Sequence, residues 1–198
     1  EPFRFPVQLV ARHNGHEAND FRGYMGRIEA GKISVGDSII VQPSGHTATV
    51  KDIQTLDGSL QTAVVGQSVT ILLNEYVDIS RGDMLAGADR PATVLKTLSA
   101  DLCWLSEDAL DVRRKYWLKH TTRQVAARVA SVDTLLDINT QERRATDTLK
   151  LNDIARVNIN VQQALAADAY DITRTTGAFI LIDEVTHQTV AAGMIRLG

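Results

Sequence analysis

Phe21-Arg22-Gly23-Tyr24-Met25-Gly26-Arg27-Ile28-Glu29-Ala30-Gly31-Lys32-Ile33-Ser34-Val35-Gly36-Asp37 is the stretch on which the reading of this chain turns. From Gly26 it fits the opening of a phosphate-binding loop: Gly, four residues, Gly31, Lys32. Such a loop needs Ser or Thr next, to ligate magnesium, and then a helix whose N-terminus faces the phosphates. Ile33 stands there instead, and the pattern through Val35, Gly36 and Ile39 is that of strands. The stretch therefore reads as a β-hairpin, with Gly26, Gly31 and Gly36 at its bends and turns.

The rest of the chain agrees with a strand reading. Ser68-Val69-Thr70-Ile71-Leu72-Leu73 alternates polar and apolar residues, and Arg156-Val157-Asn158-Ile159-Asn160-Val161 does so more cleanly. Val125, Ala127 and Val129 fall on one side of a third such segment. A period of two buries one face of a sheet and wets the other. Val35-Gly36-Asp37, Pro43-Ser44-Gly45, Leu56-Asp57-Gly58 and Arg81-Gly82-Asp83 separate these runs as turns. In the last, Gly82 supplies a positive φ and Asp83 bonds its own backbone. Many short strands between Gly and Asp turns predict an all-β chain, and closure into antiparallel barrels removes their exposed edges.

With 198 residues the chain has length for two domains of about a hundred residues each. The small residues, charge pair and proline of Ala86-Gly87-Ala88-Asp89-Arg90-Pro91 read as a linker. This places one barrel at residues 1–88 and a second at 89–198. Two segments carry other signals. Leu105, Ala109, Val112 and Tyr116 recur at helical spacing behind Ser106 as an N-cap, whereas Tyr116-Trp117-Leu118 favours a loop entering a strand. Periodicity leaves both open. Ala164-Leu165-Ala166-Ala167-Asp168 is alanine-rich and reads as a turn of helix.

Composition narrows the function classes. Hydrophobic residues make up 44% and charged residues 23%, enough to build a core in each domain. A net charge of −3 lacks the basic surplus with which nucleic-acid-binding domains hold phosphates. Arg113-Arg114-Lys115 is the compact basic run, read as a solvated face. The single cysteine, Cys103, has no partner for an internal disulfide and is expected to be a small buried residue. No signal peptide or apolar run of transmembrane length is visible, and the expectation is a soluble cytoplasmic protein. The chain opens directly on strand-like Phe3-Arg4-Phe5-Pro6-Val7-Gln8, as a piece of something longer would.

Candidate chemistry is sparse. His13, His16 and Glu17 stand close together, but Asn14-Gly15 between them marks a loop tip, and a zinc site asks for three or four ligands at defined spacing. Arg81-Gly82-Asp83 is also an adhesion tripeptide, for which the turn reading is preferred. There is no Gly-x-Ser-x-Gly elbow and no dinucleotide fingerprint, and His46, His120 and His187 lie in separate contexts. No catalytic, cofactor-binding or metal-ligating residue is assigned.

The Phe21–Asp37 stretch is similar to the opening of the second domain of translational GTPases. Asp78-Ile79-Ser80-Arg81-Gly82-Asp83-Met84-Leu85 resembles the turn and strand that close that domain. Gly177-Ala178-Phe179-Ile180-Leu181-Ile182-Asp183 and Thr189-Val190-Ala191-Ala192-Gly193-Met194-Ile195 resemble the closing strands of the third. In detail, Phe3-Arg4-Phe5-Pro6-Val7-Gln8, Asp20-Phe21-Arg22-Gly23-Tyr24, Val41-Gln42-Pro43-Ser44-Gly45 and Ser99-Ala100-Asp101-Leu102-Cys103-Trp104 are most similar to the GTP-binding subunits of bacterial sulfate adenylyltransferases. The loop from Arg12 to Asn19 departs from that family by its length.

The resemblance implies two barrels, domains two and three of the subunit, lying beyond an N-terminal GTPase domain that holds GTP and magnesium. It implies that GTP hydrolysis is coupled to synthesis of adenosine 5′-phosphosulfate from ATP and sulfate on a separate catalytic subunit. The partners implied are that GTPase domain and the catalytic subunit, with neither membrane nor nucleic acid. Phe21 and Arg22 are the candidate partner contacts, since aromatic and Arg side chains are over-represented in binding hot spots; Phe21 also reads as a barrel-core residue. The competing reading is the tRNA-binding barrels of an elongation or release factor, which predicts a basic stripe.

Overall fold

Backbone pairing, rather than local propensity, organises this chain. The structure is a computed structural model and describes residues 1–13, 21–136, 143–144 and 146–197. Its described residues are strands, turns and loops, with no helix among them. Contacts divide the chain into two compact units, Glu1–Ala92 and Thr93–Gly198.

The first unit contains β1 (Arg4–His13), β2 (Phe21–Arg27), β3 (Lys32–Ser34), β4 (Ser38–Gln42), β5 (His46–Thr55), β6 (Gly58–Leu60), β7 (Thr62–Val64), β8 (Ser68–Leu73) and β9 (Met84–Gly87). Its sheet runs β4-β9-β1-β2-β8-β5, and β4 pairs with β5 to close a six-stranded antiparallel barrel. β6 extends β5 outside the ring, and β3 pairs with β7 in a small ribbon. Phe5, Val7, Ile39, Val41, Ile53 and Ile71 are fully buried inside.

The second unit contains β10 (Thr93–Trp104), β11 (Tyr116–His120), β12 (Arg123–Leu136), β13 (Arg143–Arg144), β14 (Ile154–Ala167), β15 (Ala178–Asp183) and β16 (Thr189–Arg196). The order β11-β15-β16-β10-β14-β12 closes through the β11–β12 hairpin into another six-stranded antiparallel barrel. Along β14, Ala155, Val157, Ile159 and Val161 are buried, while Arg156, Asn158 and Asn160 face away from the core. Trp104 is fully buried, donates from Nε1 to the Asp108 carbonyl (2.8 Å) and meets Tyr116 edge to face at 5.8 Å. Burial of such a side chain contributes about 1.5–3 kcal/mol, and the ring pair about 0.5–1.5 kcal/mol more.

Local readings from the sequence change where tertiary pairing intervenes. Gly26–Lys32 is not a hairpin: both edges of β2 are taken by β1 and β8, and β3 pairs with β7. The connecting residues bridge to β1 instead, with Glu29 N–H donating to the Arg4 carbonyl and Arg4 N–H to that of Ala30 (both 3.0 Å). Ala164–Ala167 is no helical turn but the end of β14, with Leu165, Ala166 and Ala167 laddered to Leu95, Val94 and Thr93. Alanine fits that crowded site by size, and long-range pairing outweighs its helix propensity. The segment from Leu105 to Lys115 is neither helix nor strand, and Ser106 Oγ accepts from Asp108 N–H in a local turn. Cys103 is half-exposed, because its neighbours Leu102 and Trp104 take the core side of β10.

The stretch read as a linker is tied onto the first barrel. Buried Arg4 donates to the Arg90 carbonyl (2.6 Å), and the Gln42 side chain exchanges hydrogen bonds with the Ala92 backbone at 2.8 and 3.0 Å. In the second barrel His120 is buried at the β11–β12 turn, its Nε2 2.7 Å from the Thr176 carbonyl. A carbonyl can only accept, so the proton sits on Nε2. Thr176 Oγ1 donates in turn to Asp168 Oδ2 (2.6 Å).

Burial holds the His120 pKa below the usual histidine value, against the opposing pull of the Thr176 hydrogen bond and the Asp168 charge; the Arg123 charge lowers it further. Below about pH 6.5 the unfolded chain therefore takes up a proton that the folded chain refuses. Stability is expected to fall as pH drops through that value, by at most about 1.4 kcal/mol per pH unit for this one group. Thermal melts from pH 7.5 to 5.5 should show a shallower decline in His120→Gln, which keeps a donor but does not titrate.

Candidate functional site

The features singled out in the sequence gather mainly at the first barrel. Gly82 has φ 95° in the turn before β9, where Gly82 N–H donates to the Val7 carbonyl and Asp83 N–H to that of Ser80. Asp83 Oδ2 accepts from Ser80 N–H (2.9 Å), and its carbonyl accepts from Val7 N–H. The turn thus anchors β9 beside the middle of β1. Gly31 has φ 68°, and a Cβ there would stand 2.7 Å from the Phe3 nitrogen. Gly36 turns the chain from β3 into β4. Gly26 is inside β2, packed on the Pro6 carbonyl and the Phe5 ring. These positions shape the barrel.

The phosphate-loop likeness does not fit magnesium and GTP. Amides that would have to cradle phosphates are already used: Ile28 N–H donates to the Gln67 carbonyl and Glu29 N–H to that of Arg4. Ile33 follows Lys32 in β3 and is buried, offering no hydroxyl to a metal. Among the described residues no group of three His, Cys, Asp or Glu side chains could hold a metal ion. His16 and Glu17 of the loop-tip cluster, and most of the Arg12–Asn19 loop, lie outside the described residues, as does the His13 side chain.

Phe21 opens β2 opposite His13; its side chain lies outside the described residues. Arg22 is the next residue of β2. Its guanidinium lies 4.2 Å from the centroid of the Tyr76 ring, and Tyr76 is 71% exposed. Arg12 is directly opposite Arg22 in the β1–β2 ladder, on the same face as the half-buried Val10. Tyr24, two residues after Arg22 on the same face, is in the core and donates its hydroxyl to the Val77 carbonyl (3.3 Å). Burial raises the Tyr24 pKa, opposed by the charges of Arg22 and Arg12 and reinforced by Tyr76 and Asp78. Arg12, Arg22, Tyr24 and Tyr76 therefore form one cationic, aromatic mouth at the end of the first barrel. Residue type pointed to Arg22; Arg12 and Tyr76 join it only through strand register and the β8–β9 connection.

The second barrel carries satisfied charges. Arg113 pairs with Asp111 (3.2 Å), Arg114 with Asp183 (3.0 Å) and Lys115 with Glu184 (3.2 Å), which neutralises the basic run. Asp101 accepts from Arg156 (2.7 Å) and Arg196 (2.8 Å). Its partial burial works against ionisation, yet the two arginines hold its carboxyl below the usual range. Cys103, Lys119, Tyr170, Ile180 and Met194 line a shallow groove of about 550 Å³.

The chain belongs to the family described as GTP-eEF1A C-terminal domain-like, which residues 97–196 match, and residues 24–86 match Elongation factor Tu domain 2. Its curated relatives include Sulfate adenylyltransferase subunit 1 of Francisella tularensis subsp. novicida (strain U112), 43% identical, and of Teredinibacter turnerae, 44% identical, each over 98% of this chain. The chain spans 41% of the length of each. Among solved structures, sup35 complexed with GDP has the same fold, with TM-score 0.85 at 18% identity, over 100% of this chain and 47% of that one.

Gly82→Val would force a β-branched residue into the left-handed region and is expected to cost about 1–3 kcal/mol. A thermal melt unchanged from wild type would show that the turn accepts another conformation.

Proposed function

We propose that this chain is the coupling part of a GTP-binding sulfate adenylyltransferase subunit, the part that links GTP hydrolysis to formation of adenosine 5′-phosphosulfate from ATP and sulfate. The observation that carries this reading is 43–44% identity, over 98% of the chain, to relatives named Sulfate adenylyltransferase subunit 1. A numbered subunit implies a partner, and the reading assigns adenylyl transfer to a separate catalytic subunit. GTP and magnesium are assigned to a GTPase domain outside this chain, consistent with the occupied amides of Gly26–Lys32. ATP and GTP are cytoplasmic nucleotides, so the reading assigns the chain to that compartment.

The chain's own contribution would be mechanical. A closed barrel with a continuous hydrogen-bond ring presents fixed surfaces, and rigid surfaces lose little entropy on docking. Phe21 and Arg22 are the proposed contacts with the catalytic subunit. Asp101, held by two arginines, and the His120–Thr176–Asp168 chain stiffen the second barrel, so that a force applied at one face is carried by the whole sheet.

Calorimetry with the purified chain tests the proposal. It is expected to give no heat with GTP and magnesium and no adenosine 5′-phosphosulfate synthesis, yet saturable binding to the catalytic subunit at micromolar concentration. Measurable GTP binding would move the nucleotide site into these barrels. Absence of any heat with the catalytic subunit would remove the docking role.

A further inference from the structure

We propose that the mouth of the first barrel is a docking surface for a carboxylate-rich segment of a protein partner, held by Arg12, Arg22 and Tyr76. The proposal rests on the docking reading above and adds the chemistry of the partner.

Register comes first. Arg12 and Arg22 are cross-strand neighbours, and directly opposite residues share one face of a sheet. Like charges so placed repel, and an anion between or above them would relieve the repulsion. The described residues supply none. Glu75, the nearest acid before Tyr76 in the chain, is turned away to accept from Thr49 N–H at 2.7 Å. Asp78 is close enough to act on the Tyr24 hydroxyl, yet no ion pair joins it to either arginine.

Arg22 is also prepared for a ligand. Its guanidinium carbon lies over the Tyr76 ring, 4.2 Å from the centroid, while its Nε is buried and has no hydrogen-bond partner. A buried N–H left unmade is unfavourable, and the other N–H groups of the guanidinium can form charge-assisted hydrogen bonds to a carboxylate. The planar fork matches a carboxylate bidentately, which the point charge of a lysine would not. Tyr76 is largely exposed beside it, and Tyr with Arg is the pairing enriched at the centres of protein interfaces.

A protein carboxylate is favoured over the phosphates of a nucleic acid for two reasons. The chain carries a net charge of −3, which gives no general attraction to a polyanion. The compact basic run, Arg113 to Lys115, is already neutralised by its own acids and offers no free positive charge to a polyanion.

A heteronuclear NMR titration of the whole chain with a short poly-glutamate peptide tests this, with a single-stranded oligonucleotide of equal charge as the second arm. The expected result is saturable shifts at Arg12, Arg22 and Tyr76, with affinity reduced about tenfold in Arg22→Ala, the loss of one anchoring contact. Arg22→Lys should fall between, keeping the charge but losing the fork and the stack. Arg12→Ala removes an exposed side chain and reports on the site even if an Arg22 variant fails to fold. Peptide shifts absent, or unaltered in both Arg12→Ala and Arg22→Ala, overturn the proposal, as does tighter binding of the oligonucleotide at the same residues. Peptide failure leaves the calorimetric test with the catalytic subunit standing, and failure of that test leaves the peptide result standing.

Discussion

Two hairpins hold this architecture together: β4 with β5, and β11 with β12. Each joins the last strand of its sheet to the first, so the ladder runs round without a free edge. An open sheet of such strands would present unpaired N–H and C=O groups along its ends and invite pairing with another chain. Closure also determines what each strand can carry. Inward residues must be apolar and of a size that fills a narrow barrel, as Ile39, Ile53 and Ile71 do in one and Leu102, Val157 and Ile159 in the other.

Once the rings are closed, polar groups are left at their ends and on their outer faces. In the second barrel several polar groups are paired with one another: His120 to Thr176, Thr176 to Asp168, and Asp101 to two arginines. The first barrel treats Arg4 the same way, burying it against the carbonyls of Phe3 and Arg90. Arg12 and Arg22 differ, since their charges meet across a strand pair and Arg22 is stacked on an exposed tyrosine. That contrast, between charges paired within the barrel and two arginines set opposite each other, is what the docking proposal rests on.

How far the sequence could be read depended on the range of the interaction involved. Alternation in Arg156–Val161 is a local signal and translates directly into the buried and exposed sides of β14. Gly82 signals a turn by itself, because positive φ is a property of one residue. Gly26–Lys32 misleads as a hairpin, since whether two strands pair is settled by which edges remain free, and both edges of β2 are occupied. Cys103 looks like a core residue in Leu102-Cys103-Trp104-Leu105, yet the pleat sends its neighbours inward. At the barrel mouth, Arg22 stood out by residue type. Arg12 and Tyr76, ten residues before it and far after it in the chain, could not be linked to it without the register of β1 and β2 and the course of the chain after β8.

The sequence by itself determined the class of structure: all-β, built from period-two strands punctuated by glycine and aspartate turns, with no phosphate loop once Ile33 follows Lys32. These are properties of single residues and short windows, where φ preference and face alternation act over a few bonds. Tertiary structure alone decided the strand order, the assignment of Ala164–Ala167 to a ladder instead of a helix, and the meeting of Arg12, Arg22 and Tyr76. The physical reason is that hydrogen-bond pairing and burial are satisfied over the whole barrel at once. A segment's local preference yields when the closed ring offers its backbone a partner and its side chain a place in the core.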